Sequence, residues 1–134
     1  MQNYISDLLV RIKNGNRSKL QKINIHQYSP KTCVNILDIL RNEGYIWGYE
    51  CNISKNTNKK IITVFLKYTG AGNSVIQQIF MVSKPGRRVY WTTKALWKPK
   101  SSAGILILNT SKGFMTDRDA RILNVGGEVI CGIY

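Results

Sequence analysis

The segment Asn109-Thr110-Ser111-Lys112-Gly113 places three small polar side chains, an ammonium group and a glycine in succession. Held rigidly at a strand end, amides and hydroxyls of this kind read base edges and sugar hydroxyls. An ordinary polar strand-to-helix loop has the same composition, so the residues alone leave both readings open. A second cluster, Lys84-Pro85-Gly86-Arg87-Arg88, sets three cations around a tight turn just before Tyr90 and Trp91. Cations beside exposed aromatics suit a phosphate backbone with an unstacked base nearby. The competing reading is a solvated turn whose aromatics serve the core. Glu128 stands between two glycines and a closing strand, where it either orients a neighbouring arginine, accepts from a base, or is an exposed strand-start acid. Asp117 and Asp119 are the pair a metal-dependent nuclease would need. Two apart on the first turn of a helix they point in different directions, and the helix dipole already favours acids there. His26 is the single histidine and has no serine or carboxylate constellation around it. These residues predict binding without catalysis, with no metal site and no cofactor.

The charge balance points the same way. Twenty Lys and Arg face seven Asp and Glu, for a formal charge of +13 on 134 residues. Such a surface repels itself unless an acidic partner is present, and nucleic acid and anionic membrane are the common ones. No apolar run exceeds four residues (Ile79 to Val82 and Ile105 to Leu108), far short of a span. Asp7, Arg11 and Lys13 interrupt the start, which excludes a secretory signal, although an amphipathic, acid-poor start also has the look of a transit peptide. Cys33, Cys51 and Cys131 are odd in number and widely spaced, so they read as small buried residues in a reducing compartment rather than disulfides or zinc ligands. Hydrophobic residues make up 43%, which predicts a folded protein rather than a disordered basic tail.

The elements that position these groups follow from periodicity. Ile5, Leu8, Leu9 and Ile12 form one helical stripe, and Asn14-Gly15 predicts its end. Leu20 to Tyr28 reads as a short strand. Ser29 and Pro30 predict a helix start, with Cys33, Ile36, Leu37 and Leu40 as its stripe and Gly44 beyond its end. Trp47, Tyr49, Cys51 and Ile53 alternate as one face of a half-buried strand, and 54–60 is a polar turn leading to the return strand at Ile62, Val64 and Leu66. Thr69 to Ser74 is the one candidate linker. Val75 to Val82 reads as a strand, Pro85-Gly86 as a type II turn, Val89 to Thr92 as a short strand and Ala95 to Ser102 as irregular. Ile105 to Leu108 is a buried strand, Thr116 caps a helix with Asp119 three residues on, and Val129 to Tyr134 closes the chain. The expected class is α+β with two small domains. Residues 1–69 form an N-terminal α-β-α-β-β unit, and 70–134 form a C-terminal mainly β unit with one helix.

The C-terminal stretch GILILNTSKGFMTDRDARILNVGGEVICGIY resembles the signature of the small-subunit ribosomal protein eight (S-eight) family. That signature is a Ser-Thr-Ser-Lys-Gly loop followed by Met-Thr-Asp, Ala-Arg and Gly-Gly-Glu. ISDLLVRIKNG, NILDILRNEGYI and VSKPGRRVY agree with further family segments in order, so the resemblance covers essentially the whole chain. It implies a two-domain fold. It also implies a structural role in the small ribosomal subunit: binding the central domain of small-subunit ribosomal RNA early in assembly, beside neighbouring small-subunit proteins, with no membrane or small-molecule substrate. The implied RNA contacts are Asn109, Thr110, Ser111, Lys112 and Gly113 in the loop, Glu128, the turn residues Lys84, Arg88 and Tyr90, and Arg11, Lys13 and Asn14 in the first helix.

Four departures from the family pattern stand out. Asn109 replaces a serine, Arg87 replaces an apolar residue and adds a cation, Gly132 replaces an aromatic, and Trp97 to Ala103 differs from the family's Pro- and Gly-containing approach to the strand. A free-standing RNA-binding translational regulator is the alternative function. Ile, Asn and Lys number 17, 12 and 13, together 42 of 134 residues, and all have A/T-rich codons. With the family motif beginning close to Met1, this predicts a mitochondrially encoded member, with plastid and bacterial cytoplasm as the alternatives.

Overall fold

The structure, a computed structural model, describes residues 2–26, 30–53, 60–84, 86–97 and 104–134. Ser29, expected to cap a helix, the end of the strand expected to reach Tyr28, most of the expected polar turn at 54–60, Pro85, and residues 98–102 of the stretch expected to be irregular lie outside the described residues. The element order is α1 (Gln2–Arg17), β1 (Lys22–His26), α2 (Pro30–Asn42), β2 (Ile46–Ile53), β3 (Lys60–Leu66), β4 (Ile79–Met81), β5 (Tyr90–Trp91), α3 (Thr93–Leu96), β6 (Ile105–Thr110), β7 (Gly113–Thr116), α4 (Asp117–Leu123) and β8 (Gly127–Ile133). This is the expected α+β class. The chain forms two compact units, Met1–Ile76 and Gln77–Tyr134.

In the first unit an antiparallel sheet of order β1-β3-β2 takes both helices on the face that carries Ile23, Ile25, Ile62 and Val64. The predicted stripes of α1 (Ile5, Leu8, Leu9, Ile12) and α2 (Cys33, Ile36, Leu37, Leu40) are all buried. α1 runs past the expected stop at Asn14-Gly15 to Arg17. Gly15 serves close packing instead of capping: a Cβ there would come within 2.7 Å of Ile23 and 3.0 Å of Leu66. The left-handed residue that ends the helix is Lys19 (φ 60°). The segment predicted as a linker folds back onto this unit. Ser74 Oγ donates to the carbonyl of Asn16 at 3.4 Å, and Tyr68 bridges Ser74.

β2 departs from the expected alternation. A bulge sets Ile46 opposite Leu66 but Gly48 opposite Phe65, leaving Trp47 out of the ladder. Ile46 therefore takes the core position, while Trp47 and Ile53 are each 66% exposed. Lys67 Nζ covers the Trp47 ring 4.6 Å from its centroid.

The second unit is a five-stranded antiparallel sheet, β4-β8-β6-β7 with β5 also on β8. Leu96, Leu108, Met115, Ala120 and Val129 form its core. Of the strand expected over Val75 to Val82, Ile79–Met81 forms β4, and Gln78 and Val82 extend its backbone bonding to Tyr134 and Ile130. Thr92 caps the short α3, accepting from Ala95 N at 3.3 Å, so Ala95 and Leu96 are helical rather than irregular. β7 was not expected at all. Gly132 faces Phe80 across β4 and β8, and the Phe80 ring fills the space above it. A Cβ at Gly132 would lie 2.8 and 2.9 Å from two ring carbons. The ring meets Tyr134 edge-on at 6.5 Å.

Two outcomes follow from this packing. Gly132→Ala meets only the far edge of the Phe80 ring, which is 37% exposed and can swing outward, so it should destabilise by no more than about 1 kcal/mol, read as a lowered denaturation midpoint. Burial pushes the Cys33 thiol up to about 11 and the Cys131 thiol up to about 12, whereas Cys51 is exposed. Thiolates, not thiols, react, so a disulfide reagent at pH 8 should titrate one group in the native protein and three after unfolding. Because the folded thiols ionise later than unfolded ones, their contribution to stability is complete below the ordinary value of 9.0 and is lost as pH rises toward 12.

Candidate nucleic-acid interface

The polar segment at 109–113 is a hairpin rather than a strand-to-helix loop. β6 ends at Thr110, Ser111 and Lys112 make the turn, and Gly113 opens β7 opposite Thr110. Gly113 has φ 105°, a backbone state that glycine alone adopts without strain. Ser111, Lys112 and Asn109 are exposed. Thr110 is turned inward and 9% exposed. Its hydroxyl donates to the Gly113 carbonyl at 2.9 Å and accepts from Lys112 N at 3.1 Å. Thr110 thus shapes the hairpin tip that presents its two neighbours.

α4 fixes this hairpin from behind. Thr116 Oγ1 accepts from Asp119 N at 3.2 Å, the cap expected from the sequence. Asp117 is 1% exposed. One of its carboxylate oxygens accepts from Leu106 N at 3.2 Å and the other from Arg121 Nη1 at 3.1 Å. The same nitrogen of Arg121 donates to the Leu96 carbonyl at 3.3 Å. The carboxylate ties the start of α4 to β6 and α3, which is the structural use of an acid first weighed as a metal ligand. Among the described residues no group of three or more His, Cys, Asp and Glu could hold a metal ion.

Glu128 lies opposite Tyr90 on one side and Asn109 on the other. Its Oε1 accepts from Arg88 Nη1 at 3.1 Å, and its side chain is 13% exposed against 43% for Arg88. It therefore orients an arginine. The approach depends on Gly126 and Gly127. A Cβ on the former would meet Trp91 O at 2.5 Å, and one on the latter Asn109 O at 2.5 Å.

The basic turn is pinned by paired backbone bonds between Lys84 and Arg87 (3.0 and 2.9 Å), with Gly86 at φ 82° as a type II turn requires. Ser83 holds its base. Its hydroxyl, 1% exposed, donates to Val129 O at 2.6 Å and accepts from Val89 N at 3.1 Å. Sequence reading missed this residue because a serine before a turn looks like any other. Lys84, Arg87 and Arg88 are exposed, and Tyr90 is 69% exposed.

One sheet thus brings together Asn109, Glu128, Arg88 and Tyr90, with Ser111 and Lys112 at the hairpin tip. Arg11, Lys13 and Asn14 belong to α1 in the other unit. All three are exposed there, and Arg11 Nη1 donates to Asn24 O at 3.5 Å.

A basic two-unit α+β chain that presents cations, hydroxyls, an amide and an open aromatic on one sheet fits the class of small RNA-associated proteins. A sequence profile described as ribosomal protein S8 matches residues 3–134. The chain is 45% identical to the small ribosomal subunit protein uS8 of Rickettsia akari and 40% to that of Geobacter sulfurreducens. Each alignment spans 134 residues, 100% of this chain and 98% of the relative. The chain belongs to the ribosomal protein S8 family.

Removing the buried Thr110 hydroxyl leaves a backbone donor and acceptor of the tip unpaired. Thr110→Val should cost roughly 1–3 kcal/mol in chemical denaturation, whereas Ser111→Ala, at an exposed position, should leave the midpoint within experimental error of the parent.

Proposed function

We propose that this chain is a structural constituent of the small ribosomal subunit that binds the central domain of small-subunit ribosomal RNA, chiefly through its C-terminal unit, and catalyses no reaction. The family match along nearly the whole chain is the observation that carries this reading. On this reading Lys84, Arg87, Arg88 and Lys112 take phosphates as charged donors. Ser111 and Asn109 meet sugar hydroxyls and base edges, Tyr90 offers a ring to an unstacked base, and Thr110 and Gly113 hold the tip in shape. Glu128 acts by fixing Arg88. Arg11, Lys13 and Asn14 supply a second set of backbone contacts from the N-terminal unit. The other partners are neighbouring small-subunit proteins, and no cofactor takes part. Among the described residues no helix is long and apolar enough to cross a membrane.

We assign the chain to mitochondrial ribosomes. The abundance of Ile, Asn and Lys supports this, as do the Rickettsia and Orientia relatives at 45% and 42% identity, which hint at a mitochondrial-type lineage. Recovery of the protein with cytosolic rather than mitochondrial small subunits after cell fractionation would reject that assignment.

The RNA reading is tested by binding to a central-domain transcript and to a duplex of equal length over a salt series. With roughly 6 to 10 phosphate contacts, affinity should fall by about 10³ to 10⁵ between 50 and 200 mM salt, and the preference for the transcript should persist at the upper end. Equal binding to both RNAs would overturn the reading.

A further inference from the structure

The strand register of the second unit lines up four side chains across its sheet. Tyr90 lies opposite Glu128, Glu128 opposite Asn109, and Asn109 opposite Phe114. Directly opposed residues of an antiparallel ladder project from the same face, so these four side chains form one row across β5, β8, β6 and β7. The rows on either side point the other way. Trp91 and Thr110 lie in one of them, and Leu108, Met115 and Val129 in the other, packed in or against the core. The Tyr90 row is the outward one: Tyr90 is 69% exposed and Asn109 is exposed. Phe114 is half-buried on the face away from the core. A phenylalanine there is not needed to fill the interior, and it stands beside the hairpin tip that carries Ser111 and Lys112.

We propose that Phe114 is a second stacking contact for RNA, closing the opposite end of the row from Tyr90. The proposal rests on the RNA-binding reading above and deepens it by naming the form of RNA the row accepts. Strands in a sheet are about 4.8 Å apart, so three spacings separate the two rings by about 14 Å. A base can lie on either ring only with a face free of its neighbours, so two bases that meet Tyr90 and Phe114 together are unstacked, which a regular duplex does not offer. Between the rings, Asn109 offers an amide that both donates and accepts, while the Glu128 carboxylate holds Arg88 toward the backbone. The row thus takes two unstacked bases, one on each ring, without a base-specific hydrogen bond at either ring.

The test uses the full chain with Phe114→Ala, Phe114→Leu and Phe114→Tyr, titrated against the central-domain transcript and the equal-length duplex, with a denaturation curve for each variant. Loss of stacking should weaken transcript binding roughly 5- to 150-fold in the Ala and Leu variants. Duplex binding and the salt slope should be unchanged, because no charge is removed, and Tyr should match wild type. If Ala fails to fold, the Leu and Tyr pair decides. A Leu variant that binds the transcript like wild type shows that the residue only fills space and overturns the proposal, as does an equal loss on both RNAs. If wild-type protein shows no preference for the transcript, the RNA reading itself fails and takes this inference with it. A wild-type preference that Phe114→Leu leaves intact removes this inference alone.

Discussion

Only a strand that begins without side chains can enter the gap between β5 and β6. At Gly126 and Gly127 the backbone passes so close to the carbonyls of Trp91 and Asn109 that a methyl group would sit 2.5 Å from an oxygen. This close approach decides where Glu128 emerges, and hence that it meets Tyr90 on one strand and Asn109 on the other. Widening the gap would part the outward row at its middle. The ion pair to Arg88 depends on the same approach.

The groups that fix this sheet are polar and hidden. Asp117 and Ser83 are each 1% exposed, and each satisfies partners from more than one element. Asp117 joins α4 to β6 and, through Arg121, to α3. Ser83 joins the basic turn to β8. A buried carboxylate is tolerable only when paired and hydrogen-bonded, and losing one partner strands the other. The geometry is therefore specified more sharply than apolar packing alone would specify it. That suits a surface whose contacts depend on spacing across several strands.

Local pattern carried much of this fold into the sequence, and non-local pairing carried the rest out of reach. The stripes of α1 and α2, the β2–β3 pair, the strand at Ile105 to Leu108 (buried only at Ile107 and Leu108) and the Thr116 cap all depend on residues within a few positions of each other. The four residues of β7 are too few to show an alternation, so the hairpin tip read as a loop. Gly15 followed an asparagine and looked like a cap, because nothing local announces that Ile23 and Leu66 press against it. The bulge at Trp47 reversed one alternation for a reason that lies in the partner strand. For the candidate site, the residue types at 84–90 and 109–113 were legible, together with Glu128. The inward turn of Thr110 and the row that includes Phe114 were not, since both are properties of register.

The Phe80 ring above Gly132 makes the two positions answer to each other across the sheet. One sheet surface has room for one large ring between β4 and β8, and here the opposite strand supplies it. Exchanging the two arrangements one residue at a time passes through either a crowded intermediate with two rings or a bare one with none. The bare route leaves a shallow, solvated gap and no buried clash. The two positions are thereby coupled: a large side chain at 132 requires that Phe80 be lost or displaced first.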